Sequence, residues 1–118
     1  MNTFWKDKRV LITGHTGFKG SWLALWLHQM GAEVHGFALA PNTTPALFDQ
    51  LTLSTKIHSQ IGDITDAAAL RDYVSNLKPE FVFHLAAQSL VLASYSHTVD
   101  TWNTNVMGTT HLLQALRE

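Results

Sequence analysis

The feature that most constrains this chain is one stretch, Val10 to Gly20 (VLITGHTGFKG), where an apolar run stops at a threonine and glycines follow at 14, 17 and 20. Val10, Leu11 and Ile12 are β-formers with no polar alternation, the composition of a strand covered on both faces in a parallel sheet. Beyond Gly20 the apolar residues Trp22, Leu23, Trp26, Leu27 and Met30 recur at helical steps, and Gly31 stands where a C-terminal cap belongs. The order is strand, glycine turn, helix. Such a turn leaves unpaired backbone N–H groups and the positive end of a helix dipole converging on one spot, and positions without Cβ let a diphosphate approach the backbone. The stretch predicts a dinucleotide cradle.

The spacing is G-x-x-G-x-x-G, one residue longer than the G-x-G-x-x-G fingerprint, and resembles that of the short-chain dehydrogenase/reductase superfamily in its extended branch. Glycines alone would be equally compatible with a tight strand–helix connection, and the flanking strand and helix favour the nucleotide reading. A G-K-[ST] phosphate loop is excluded, because Gly20 separates Lys19 from Ser21 and the amine and hydroxyl must be adjacent.

At 118 residues the chain is expected to be one domain or part of one. Hydrophobic residues make up 46% and charged ones only 14%, which suggests that something covers much of its surface. A net charge of -1 without a basic cluster argues against nucleic acid or an anionic membrane as partner. With no cysteine there is neither a disulfide framework nor a zinc-thiolate site. The start, MNTFWKDKR, is too polar for a secretory leader, and no apolar run reaches the roughly 20 residues that span a bilayer, so a cytoplasmic protein is expected.

Read in order, Glu33 to Phe37 is a second strand. It runs into Ala38, Leu39, Ala40 and Pro41, so the acid or arginine that usually distinguishes NAD from NADP is missing. Ala46 to Leu51 forms a helical turn or two, and Ile57 to Ile61 a third strand closed by Gly62-Asp63-Ile64. A helix capped at Thr65 or Asp66 follows, with Ala69, Leu70, Tyr73, Val74 and Leu77 on its apolar side, ended by Pro79. Phe81 to Leu85 is the fourth strand. From about Thr98 a last helix carries Trp102, Val106, Leu113 and Leu116 near one face. This alternation predicts a parallel sheet with helices on both faces, and right-handed crossovers give the order 3-2-1-4. The fourth strand, FVFHL, is then an uncharged edge, a surface that something normally pairs with.

With these residues placed, TGHTGFKGSWL (13–23), GDI (62–64), FHLAAQ (83–88) and NTNVMGT (103–109) resemble the amino-terminal third of the CDP-glucose 4,6-dehydratase family. The resemblance covers the whole chain and is most specific at Gly17-Phe18-Lys19-Gly20-Ser21-Trp22. It implies a partial Rossmann-type NAD-binding domain over residues 1–118. Gly14, Gly17, Phe18, Lys19 and Gly20 would surround the diphosphate, and Asp63 would meet the adenine amino group with Ile64 against the ring. Leu85, Ala86, Ala87 and Gln88 would line the cofactor where the fourth strand opens, and Thr104 would reach back from the last helix. In the family, bound NAD is a temporary hydride store: hydride leaves C4 of the hexose, water is lost across C5 and C6, and hydride returns to C6. Full-length members are expected to act on nucleotide sugars as homo-oligomers.

The departures carry information too. The family's catalytic Tyr-x-x-x-Lys is expected beyond residue 118, since neither Tyr73 nor Tyr95 has a lysine four positions on. The strand bearing its catalytic hydroxyl and acid would also lie beyond. Leu90 to Ala93 stand where a basic residue would be expected. None of the seven histidines pairs at i, i+4, which argues against a metal site. His84 is expected in the core, bonded to backbone, and His15 either at the cofactor or in solvent. The tryptophans at 22 and 26 read as core, and Trp102 and Val106 face either a partner subunit or the sheet. The alternatives are another nucleotide-sugar epimerase or dehydratase, or a non-catalytic NAD(H)-binding module.

Overall fold

Strand, glycine turn and helix do follow in that order. The computed structural model describes residues 3–87 and 91–117, in which β1 (Arg9–Thr13) leads through the glycine turn into α1 (Phe18–Gln29). Gly31, just past α1, has φ +88°, the left-handed backbone expected of a glycine after a helix. Then come β2 (Glu33–Ala38), the short α2 (Leu47–Gln50), a 3-10 turn at Leu53–Thr55 and β3 (His58–Ile61). Helix α3 (Ala67–Leu77) is capped by Asp66, whose side chain accepts from the Ala69 N–H at 3.1 Å. Strand β4 (Phe81–His84) precedes α4 (Val91–Ser96) and α5 (Thr98–Trp102). A wide π-type turn at Asn103–Met107 then passes into α6 (Gly108–Arg117), so the last helix is not uniform.

The sheet order is β3-β2-β1-β4 and all pairings are parallel, as the β–α alternation predicts. Because strand side chains alternate, β1 feeds two cores. Val10 and Ile12 pack with Ala24, Leu27, Val34, Phe48, Leu53 and Ile57 on the α1 face. Leu11 packs with Phe37, Ile64, Leu70, Val74, Leu77, Leu112 and Ala115 under α3 and α6. Val10, Leu11 and Ile12 are wholly enclosed, each worth about 2 kcal/mol of apolar burial. At the edge strand, Trp5 packs against Phe81 (ring centroids 5.0 Å apart) and Phe83 (6.1 Å), so the chain's own first residues cover one face of β4.

One helix face differs from expectation, and a second, left open by the sequence, is decided. Trp22 and Trp26 are exposed (48% and 63%), and α1 instead turns Gly20, Ser21, Ala24 and Leu27 to the sheet, because small residues at this spacing bring helix and sheet close together. In α6 the buried stripe is Gly108, Leu112 and Ala115. Trp102, Val106, Leu113 and Leu116 are all exposed and none belongs to the core under α3 and α6, which rules out the sheet as what Trp102 faces. Among the described residues no helix is long and apolar enough to cross a membrane.

Candidate functional site

Parallel strands bring all their carboxyl ends to one edge, so the glycine turn after β1, the exit of β2 at Leu39, Asp63 after β3 and Leu85–Ala87 after β4 lie along it. Gly14 has φ +81°, and a Cβ there would stand 2.7 Å from the Ala86 nitrogen. Glycine is therefore required on both counts, and the turn is pressed directly against the β4 exit. Gly14 also donates to the Phe37 carbonyl at 3.1 Å, and its own carbonyl accepts from the Gly17 N–H at 3.1 Å.

Gly17 is the N-cap of α1 and offers no side chain to the first-turn N–H groups, and no acidic residue occupies that turn. Phe18 (70% exposed) and Lys19 stand out into solvent at the helix start. A cation at this end opposes the helix dipole, so an anion alongside would relieve two unfavourable terms at once. Thr16 donates its hydroxyl to the Leu39 carbonyl at 2.8 Å and so ties the turn to the end of β2.

His15 is neither exposed to solvent nor turned outward. Its ring is fully buried against Gly36, with Phe48 edge-on at 5.4 Å and Nε2 2.6 Å from Ser59 Oγ, while Nδ1 has no partner among the described residues. Burial pushes its pKa down to about 4. Its backbone carbonyl accepts from the buried Ser21 hydroxyl at 2.8 Å, which fastens the turn to α1.

Asp63 is exposed, and its Oδ1 accepts from the Thr65 N–H (2.9 Å) and hydroxyl (2.8 Å), an arrangement that holds the carboxylate at the end of β3. Ile64 is 96% enclosed, its side chain in the core against Gly108 of α6 and its carbonyl 3.2 Å from His111 Nδ1. Leu85 and Ala87 are exposed, Ala86 is half-buried, and Thr104 is half-buried in the wide turn. Gln88 lies outside the described residues, as does Leu90.

Sequence reasoning missed the arrangement that joins these parts. His84 bonds not to backbone but to two hydroxyls, Thr13 Oγ1 at 2.6 Å and Thr109 Oγ1 at 2.8 Å. A polar residue ending each of two apolar strands was the available clue. An apolar groove on the outer face of α1, between Trp22, Leu23, Leu25, Trp26 and Gln29, runs towards the far end of that helix from the glycine turn.

Residues 11–118 match the model of the GDP-mannose 4,6 dehydratase family. The CDP-glucose 4,6-dehydratase of Salmonella typhimurium (strain LT2) is 54% identical over 115 residues, covering 98% of this chain and 32% of that protein. Among solved structures, a UDP-glucose 4-epimerase from Brucella ovis in complex with NAD superposes with a TM-score of 0.78 at 27% identity, over 94% of this chain and 32% of that one. A UDP-glucose-4-epimerase from Stenotrophomonas maltophila, solved with bound NAD and formylated UDP-arabinopyranose, reaches 0.81 at 24% identity, over 94% of this chain and 34% of that one, and speaks for the fold alone. The chain spans about a third of the length of these relatives.

Proposed function

This chain belongs to the GDP-mannose 4,6-dehydratase family, and we propose that it forms the dinucleotide-binding part of a nucleotide-sugar 4,6-dehydratase that uses NAD and acts on CDP-glucose. The observation that carries the reading is the turn itself. Its backbone is forced into close contact with the β4 exit at Gly14, its helix start at Gly17 is uncapped by any side chain, and Lys19 stands exposed beside that start. The exposed cation, the uncapped helix start and the open side of Gly17 support a diphosphate there. The choice of CDP-glucose rests on the 54% identity to the Salmonella enzyme.

Gly17, Phe18 and Lys19 would hold the diphosphate, Asp63 the adenine, and Leu85 to Gln88 with Thr104 the other end of the cofactor. When bound, NAD would supply a transient hydride store for the sugar. These residues bind and orient; Thr16 and Ser21 fix the turn, and the enclosed His15 ring anchors it against Gly36 and Phe48. The outer face of α5 and α6, with Val99 (79% exposed), Trp102 (64%) and Leu113 (63%), would meet a second subunit of a homo-oligomer.

Calorimetric titration with NAD tests the reading. Saturable one-to-one binding that Lys19→Glu weakens without unfolding the protein is expected. A folded protein with no affinity for NAD or NADP would reject it.

A further inference from the structure

Thr13 ends β1 and His84 ends β4, and the two are register partners across the parallel pair. Thr13 Oγ1 accepts from the Ala86 N–H at 3.2 Å and shares the Leu85 N–H, at 3.1 Å, with its own backbone carbonyl at 3.0 Å. A hydroxyl oxygen has two acceptor positions and one proton. The Thr109 hydroxyl spends its proton on the Asn105 carbonyl, so its oxygen accepts from His84 Nε2, and in the neutral ring Nδ1 is left to accept the Thr13 proton at 2.6 Å. Nδ1 is thus the acceptor, and the neutral ring carries its proton on Nε2, which donates to Thr109 Oγ1 at 2.8 Å. The Thr109 hydroxyl in turn donates to the Asn105 carbonyl at 2.8 Å. One directed chain of hydrogen bonds therefore runs from the first peptides after β4, through β1 and His84, to the wide turn.

Each part it joins borders the edge assigned to the cofactor. Thr13 immediately precedes Gly14, where a Cβ would overlap the Leu85–Ala86 backbone, and Asn105 shares the wide turn with Thr104. A protonated ring would aim a second donor at Thr13 Oγ1, which already accepts from the Ala86 N–H and shares that of Leu85. Burial alone holds the His84 pKa below the ordinary histidine value, with no charged group of β1, β4 or α6 contributing. The ring is fixed in one tautomer and one orientation.

We propose that His84 is a positioning residue for the dinucleotide: through Thr13 and Thr109 it sets the spacing between the glycine turn, the β4 exit and the Asn103–Met107 turn, and thereby the affinity for the cofactor. This rests on the dinucleotide reading above. His84 need not touch the ligand, and Thr109 acts only through it.

The test compares NADH affinity, by fluorescence titration at neutral pH, among fully folded proteins, with folding checked by circular dichroism at the same temperature. Thr109→Val removes the acceptor and orphans the Nε2–H, and should weaken binding about tenfold, the scale of one unmet buried hydrogen bond. Thr109→Ser restores the hydroxyl and should bind like the wild type, a rescue that bulk and helix propensity do not explain. His84→Asn, which keeps the contact to Thr13 and loses the one to Thr109, should resemble Thr109→Val. Nitrogen-15 spectra of the imidazole should show the Nε2–H tautomer, with both ring resonances moving on NADH addition. Wild-type affinity in folded Thr109→Val and His84→Asn would overturn the positioning role and leave the dinucleotide reading standing. A folded wild type that binds no dinucleotide would overturn both.

Discussion

Gly20 lies so close over the carbonyl of Gly14 that a Cβ at position 20 would overlap both its carbon and its oxygen. The obstructing atoms are backbone and cannot swing aside. Gly20→Ala should therefore cost about 2 kcal/mol or more by overpacking, read as a lower urea midpoint. Gly17 is different. Its φ of -78° and ψ of 174° are open to any residue, and a Cβ would meet only the Gly14 oxygen, at 3.4 Å. The strain that a β-branched residue in a glycine turn would suggest is thus absent at position 17. Gly17→Val should melt close to the wild type and lose NAD, because its side chain projects where the diphosphate would lie. If it binds normally, that glycine is not a cofactor contact.

His15 makes the fold sensitive to acid. Its pKa falls from 6.5 to about 4 on burial, so below pH 6.5 the unfolded chain takes up a proton that the folded one refuses. Stability attributable to His15 is fully present above pH 6.5, declines as the pH drops and is exhausted near pH 4, a loss of about 3 kcal/mol. His35 and His84, both shifted down chiefly by burial, add to the same trend. Urea denaturation of wild type and His15→Gln across this range measures the share due to His15. The variant should be less stable at neutral pH and show a flatter slope, and parallel slopes would contradict the assignment.

NAD should bind more tightly than NADP. A 2′-phosphate calls for a cation at the end of β2, and residues 38–44 contain none. The Leu39 carbonyl there is already engaged by Thr16. Competition titration decides the matter, and tighter NADP binding would move the discrimination to a remote cation such as Lys19.

How much of this was readable from the residues follows from the range of each interaction. Strand order depends on local pattern and on the handedness of crossovers, so VLIT, the glycines and the β–α alternation suffice for it, whereas the cap of α3 is open between Thr65 and Asp66 in the sequence and is Asp66 in the structure. Which side of a helix is buried is less legible when both sides are apolar, as at Trp22 and Trp26 against Ala24 and Leu27: size, rather than hydrophobicity, decides which residues meet the sheet. Contacts made across 44 residues, as between His15 and Ser59, or 71, as between Thr13 and His84, leave no periodic trace. The wide turn before α6 is equally silent, since NTNVM suits an ordinary helix about as well.

The chain alone should bind dinucleotide without converting CDP-glucose to a 4-keto-6-deoxy product. A general base must reach the sugar hydroxyl and hold a pKa near the working pH. Tyr73 fails on both counts: it sits half-buried on α3 with its hydroxyl 3.5 Å from the Gly36 carbonyl, and burial pushes its pKa up to about 12. Tyr95 is 79% exposed on α4, with Val99 rather than a lysine four positions on, so it does not form a Tyr-x-x-x-Lys pair. Among the histidines, His84 has both ring nitrogens committed to hydroxyls, and His15 is sealed beneath the glycine turn. Neither can accept a proton from a ligand at the sheet edge without breaking the packing that forms the site. Product formation by residues 1–118 with NAD and CDP-glucose over a long incubation is the measurement, with none expected. Steady turnover that disappears in Tyr95→Phe would place the reacting centre on α4 and reverse this assignment.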